Sequence, residues 1–256
     1  MSKTLEEVET ESHTALNSEL ADSRIFLNAV VELVGKSAQS LRNEDLAVQN
    51  SATRVAVLLG IRLINDARGV SLLARIGYGM QAASLASSIY EIAHTLAYIG
   101  ADNALANQWF DHDKVLSTPF GDILKVTKGG LKKLGIPEQS AFGEYQVYSQ
   151  LCMAKHGNPL LQQQHGLKVS NETVTPQTGP DTSDDSIRLC RFAMEMSGSS
   201  ILIALQSFIS NHAPEEARPN LQSYHHLLQQ EFVKLRQSAI KRWGKEDPNP
   251  GKWRTK

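Results

Sequence analysis

The chain is predicted to be all-α, a mostly antiparallel multi-helix bundle, on three observations. Apolar residues recur at helical spacing in one stretch after another. Glycine and proline punctuate the gaps between those stretches. A single stretch, near 157–183, lacks the helical period, and it predicts one long irregular loop with a small hairpin. At 256 residues, 41% apolar and 21% charged, the chain suits one large helical domain with a substantial core.

Residues 1–20 are polar and acidic (Glu6, Glu7, Glu9, Glu11), and fraying is expected there. The single domain is placed at 21–243. Within it, 21–42 reads as helix, with Ile25, Val30, Leu33 and Val34 toward the core. Asn43-Glu44-Asp45 breaks it, and a long helix follows over about 45–76, carrying Val55, Leu58 and Leu59 beside an Arg62–Asp66 pair at i,i+4. Gly77-Tyr78-Gly79 is the turn into a helix over about 80–100. A shorter helix runs from Asp102, with Trp109 and Phe110 facing a core.

Pro119-Phe120-Gly121 and Gly129-Gly130 flank a short helical piece. Gly135-Ile136-Pro137-Glu138 marks a stop and a restart, Pro137 suiting a first helical turn. The helix over 138–156 ends in Lys155-His156-Gly157-Asn158-Pro159, a glycine-then-proline C-terminal signature. Beyond it, Lys168-Val169-Ser170 and Thr173-Val174-Thr175 pair as strands around Asn171-Glu172. Asp184 or Asp185 caps a helix to about Ser210, whose small Ser197-Gly198-Ser199-Ser200 patch suits tight helix contact. A last helix spans about 220–243 through Tyr224, Leu228, Phe232, Leu235 and Trp243, and 244–256 is a basic tail expected to be disordered.

A net charge of −1 removes the simplest argument for a nucleic-acid binder. Two cysteines, Cys152 and Cys190, are too few for a disulfide framework and fit a reducing cytoplasm. The N-terminus lacks a signal-peptide apolar region. The run from Ile76 to Ala101 is long enough to span a membrane but too polar for lipid, so it reads as a core helix and no membrane partner is expected. No nucleotide loop, hydrolase elbow or metalloprotease motif occurs, and no cofactor is expected.

Candidate site residues concentrate in that same run. Glu91 is its one formal charge, on a stripe with Ser84, Ser87, Ser88, His94, Thr95 and Tyr98. A buried carboxylate needs partners or a shifted pKa. Glu91-x-x-His94 is also the i,i+3 spacing of di-iron helical sites, which need a second such motif. Tyr148 and Cys152 share a helix face, and His156 lies one turn further, where the helix dipole favours a histidinium. Arg218 and His225 have the Arg-x6-His spacing of HEPN ribonucleases, with Pro219 directly after the arginine. Lys241, Arg242, Lys245, Lys252, Arg254 and Lys256 interleave with Trp243 and Trp253, a composition that suits RNA or an acidic partner as well as a solvated tail.

Ser71-Leu72-Leu73, Gly79-Met80-Gln81-Ala82-Ala83, Ser88-Ile89-Tyr90-Glu91, Tyr148-x-x-Leu151-Cys152, His156-Gly157-Asn158-Pro159 and Gly179-Pro180 occur in that order. Over roughly 50–210 the chain thereby resembles a bacterial all-helical family of unknown function, itself distantly similar to HEPN bundles. The resemblance implies a helical fold and a joint Glu91/Tyr148/His156 site. Where that family carries an arginine ahead of its Tyr-Glu pair, this chain has Ser87, so a cation for Glu91 is sought in Arg62, Arg75 or His156. The expectation is a binding or regulatory module with Glu91, His94, Tyr148 and His156 around a ligand, able to pair as a homodimer along a long helix. The alternatives are a metal-independent ribonuclease on Arg218 and His225, and a metal site on Glu91 and His94.

Overall fold

The structure is a computed structural model that describes residues 3–113, 119–170, 173–176 and 179–244. Among them are helices α1 (Leu5–Glu19), α2 (Ala21–Gln39), α3 (Ser51–Arg75), α4 (Gly79–Ile99), α5 (Asn103–Phe110), α6 (Ile123–Lys133), α7 (Glu138–Lys155), α8 (Pro159–Gly166), α9 (Asp184–Asn211) and α10 (Arg218–Trp243). The all-α bundle is therefore shown. Asn43–Leu46 forms a 3-10 turn, so the helix expected from 45 begins only at Ser51.

Two boundaries differ from expectation. The acidic N-terminus is helix α1 instead of a frayed segment: Thr4 and Glu7 form a reciprocal capping box, which satisfies two otherwise orphaned N–H groups. The stretch after Pro159 is part helix, α8, before strands β1 (Leu167–Ser170) and β2 (Thr173–Pro176) pair antiparallel with Ser170 opposite Thr173. Asn171 and Glu172, and the basic tail 245–256, lie outside the described residues.

The six long helices α2, α3, α4, α7, α9 and α10 alternate in direction, and α9 sits at the centre. Antiparallel α10 is placed by His225 against Leu202 and Arg236 against Glu195. The parallel neighbours are α2, through Ser23 on Glu195, and α4, whose Gly79 meets Cys190 and whose Gly100 meets Asn211. Surrounded in this way, α9 buries nearly every residue from Ser186 to Ile209. Among the described residues it is the one helix apolar and long enough to cross a membrane, with 83% of that window buried inside the bundle.

Two glycines make the packing feasible. Gly77 holds φ +88° between α3 and α4, where a Cβ would meet Ser12 Oγ and the Asp181 backbone. At Gly198 a Cβ would collide with the Phe26 ring, so this position seats α2 on α9. Several expected core residues point outward: Ile25, Leu58, Tyr224 and Phe110 are all substantially exposed. In α2 the buried series is Phe26, Val30, Leu33 and Ser37, the i,i+4,i+7,i+11 spacing of a helix face, and Ile25 falls one position off it.

Candidate functional site

The α4–α7 seam brings together part of the predicted site. The Tyr148 hydroxyl donates to Glu91 Oε1 at 2.8 Å, and Lys155 Nζ donates to the same oxygen at 3.0 Å. The cation of Glu91 is thus Lys155, one residue before His156, and not Arg62, Arg75 or His156. Arg62 pairs with Asp66 at 2.8 Å as its spacing predicts, while Arg75 contacts His13. Glu91 is only partly buried, with 21% of its side chain exposed, so the seam opens to solvent. Cys152 lies against Tyr148 and Ser87; burial, ahead of any neighbour, raises its thiol above the ordinary value. A thiol held protonated is a poor nucleophile. Burial also raises the Tyr148 phenol, and its bonds to Cys152 and Glu91 add to this.

His94 does not join Glu91. It is fully buried, packs on the Tyr90 ring at 4.1 Å, and neither ring nitrogen has a hydrogen-bond partner among the described residues. Burial pushes it down to about 3, so it stays neutral. Tyr90 in turn stacks on Tyr148 at 4.9 Å and shares a hydrogen bond with Thr127. The i,i+3 spacing placed Glu91 and His94 on one side of α4, but α7 covers the first and the bundle interior takes the second. His156 is exposed at the C-terminal cap of α7. Of the four residues proposed for one site, the structure joins Glu91 and Tyr148 and separates His94 and His156. Among the described residues no group of three or more His, Cys, Asp or Glu side chains is arranged to hold a metal ion.

Arg218 and His225 are both engaged with main chain. Arg218 Nη2 donates to the Ala213 carbonyl at 3.0 Å, inside the turn that opens α10. His225 is buried, its Nε2 2.8 Å from the Leu202 carbonyl, and burial lowers its pKa. Seven residues of helix rise, roughly 10 Å, separate their backbones. Arg242 and Trp243, at the end of α10 and counted among the basic C-terminal residues, clamp α10 to Glu19 and Asp184.

The fully enclosed carboxylate is Glu195, which the sequence reading passed over. Its side chain is 0% exposed. Oε1 accepts from Ser23 at 2.7 Å and from Arg191 Nε at 3.2 Å; Oε2 accepts from Arg236 Nη1 at 2.9 Å. The available signal was Arg191 at i−4 inside an otherwise apolar helix, easily taken for a surface pair. Above this centre a groove of about 710 Å³ runs between α7, α9 and α10. Phe192, Met196 and Phe232 give it apolar surface, and Glu144 and Gln150 of α7 face it from the opposite wall. Burial raises the Glu144 carboxyl.

No family model, no curated protein and no solved structure matches this chain.

Proposed function

We propose that this protein is a non-enzymatic binding module whose ligand sits in the α7–α9–α10 groove. The preformed groove carries the reading: its volume of about 710 Å³ falls in the range of small-molecule sites, and its lining mixes aromatic and aliphatic surface with a few polar groups. Three chemistry-bearing side chains elsewhere support it, because their polar atoms are engaged in holding helices together. Glu91 binds Tyr148 and Lys155, Glu195 binds two arginines, and His225 meets a main-chain carbonyl. A ligand bridging α7 to α9 and α10 would also tighten the α4–α7 seam, which is how binding at this place would regulate a partner.

The test is a fragment screen by thermal shift on the wild-type chain and on Gly143→Trp. Gly143 lines the groove, and a Cβ there meets no atom within 4 Å, so the indole can fill the groove without a clash at its root. Fragments that raise the melting temperature of the wild type should fail on Gly143→Trp. Equal shifts in both proteins, or no shift with any fragment, would remove the reading.

A further inference from the structure

We infer that the groove takes an organic cation, a primary amine on an apolar body, with its ammonium paired to Glu144. The inference rests on the binding-module reading and names its ligand class. Three observations carry it.

First, Glu144 lines the groove and has no hydrogen bond or ion pair among the described residues. A carboxylate removed from water without a cation is costly, and a ligand cation relieves that cost. Second, the arginine on the groove wall is already engaged. Arg236 donates to Glu195 Oε2 and lies 5.7 Å from the Phe192 ring centroid, whereas Glu144 is the carboxylate of the lining and has no cation beside it among the described residues. An anionic ligand would meet the Glu144 carboxylate on the α7 wall. Third, Gln150, on the same helix, also lines the groove, and its Oε1, closed to water, has no donor among the described residues, so a turn of the amide toward a ligand hydroxyl would break no bond of that oxygen. Six residues of helix rise place it about 9 Å along α7 from Glu144. That span suits a ligand with an ammonium at one end, a hydroxyl donor at the other, and an apolar middle against Phe192, Met196 and Phe232. Burial raises the Glu144 carboxyl, and a bound ammonium would act in the opposite direction.

Tyramine, tyrosol and 4-hydroxyphenylacetate share one body and carry a positive, a neutral and a negative head. Their affinities are measured by calorimetry on the full chain, on Glu144→Gln and on Gly143→Trp, with thermal melts confirming that each variant folds. Tyramine should bind about tenfold or more tighter than tyrosol, a difference of about 1.4 kcal/mol. Glu144→Gln should reduce tyramine to the level of tyrosol and leave tyrosol unchanged. Preference for the anion, or tyramine binding untouched by Glu144→Gln, overturns the inference. If all three heads bind equally and all are lost in Gly143→Trp, the cation class falls while the binding module stands. If none binds at millimolar concentration, the cation class falls, and the fragment screen decides the module separately.

Discussion

Glu91 and Glu195 are both carboxylates on central helices, yet they live under different physics. Glu91 sits on a seam, with one oxygen accepting from a phenol and an ammonium while solvent reaches the group. Glu195 sits where α2, α9 and α10 meet, and both of its oxygens accept hydrogen bonds, from one serine and two arginines. The difference teaches that full burial of a carboxylate goes with a cation on each oxygen, here Arg191 from its own helix and Arg236 from α10. Glu91 has one cation, Lys155 of α7, and stays at the solvent edge of its seam.

The hardest test of this contrast is Glu195→Gln. It leaves Arg191 and Arg236 facing each other without a countercharge, and the loss should be about 3–5 kcal/mol in urea unfolding. Glu91→Gln should cost about 1 kcal/mol or less, because its pair is partly exposed. Similar losses in the two variants would break the comparison.

His94 sharpens it through pH. With a folded value of about 3, against an ordinary 6.5, its neutral form is the one the fold holds. Between those values the unfolded chain binds the proton and the folded chain does not, so stability present above pH 6.5 is lost as the pH falls toward 3. His94→Leu removes both this slope and two unpartnered nitrogens. Its melting temperature should equal or exceed that of the wild type at neutral pH, and the gap should widen by up to about 1.4 kcal/mol per pH unit below 6.5. A parallel pH profile in the two proteins would mean that His94 has a partner.

The smallest effect is expected at Gly143→Ala. Gly143 lies inside α7 with open space at its Cβ, so alanine should raise stability by about 0.5–1 kcal/mol through backbone entropy alone. A loss would show that α7 bends there.

Much of the helix order was legible, because helix period and glycine–proline punctuation are local properties. The boundaries of α4, α7 and α9 fall within a few residues of those expected. The site was legible only in part. The Glu91–Tyr148 contact follows from two helix faces that do meet. Lys155 was not legible as the cation of Glu91, because the two residues are 64 positions apart and a lysine in the last turn of a helix is ordinarily explained by the helix dipole. Ile25 and Leu58 were misplaced because an apolar residue beside a core stripe differs from one on it by a rotation of about 100°.

Composition and periodicity, read along the chain, were sufficient for an all-α bundle and for the turn at Gly77, since each depends on a residue's own backbone or its immediate neighbours; at Gly198 they marked a place for close contact, and packing supplied Phe26. Which helix lies at the centre depended on the assembly. α4 and α9 are both apolar and rich in small residues, and only packing sets α9 among α2, α3, α4 and α10. The partners of Glu195 were decided there too: Ser23 is 172 positions away and Arg236 is 41, and no local pattern brings such residues together. The groove is likewise a property of three helices held apart, with Glu144, unpartnered among the described residues, on one wall, and it exists only once they are in place.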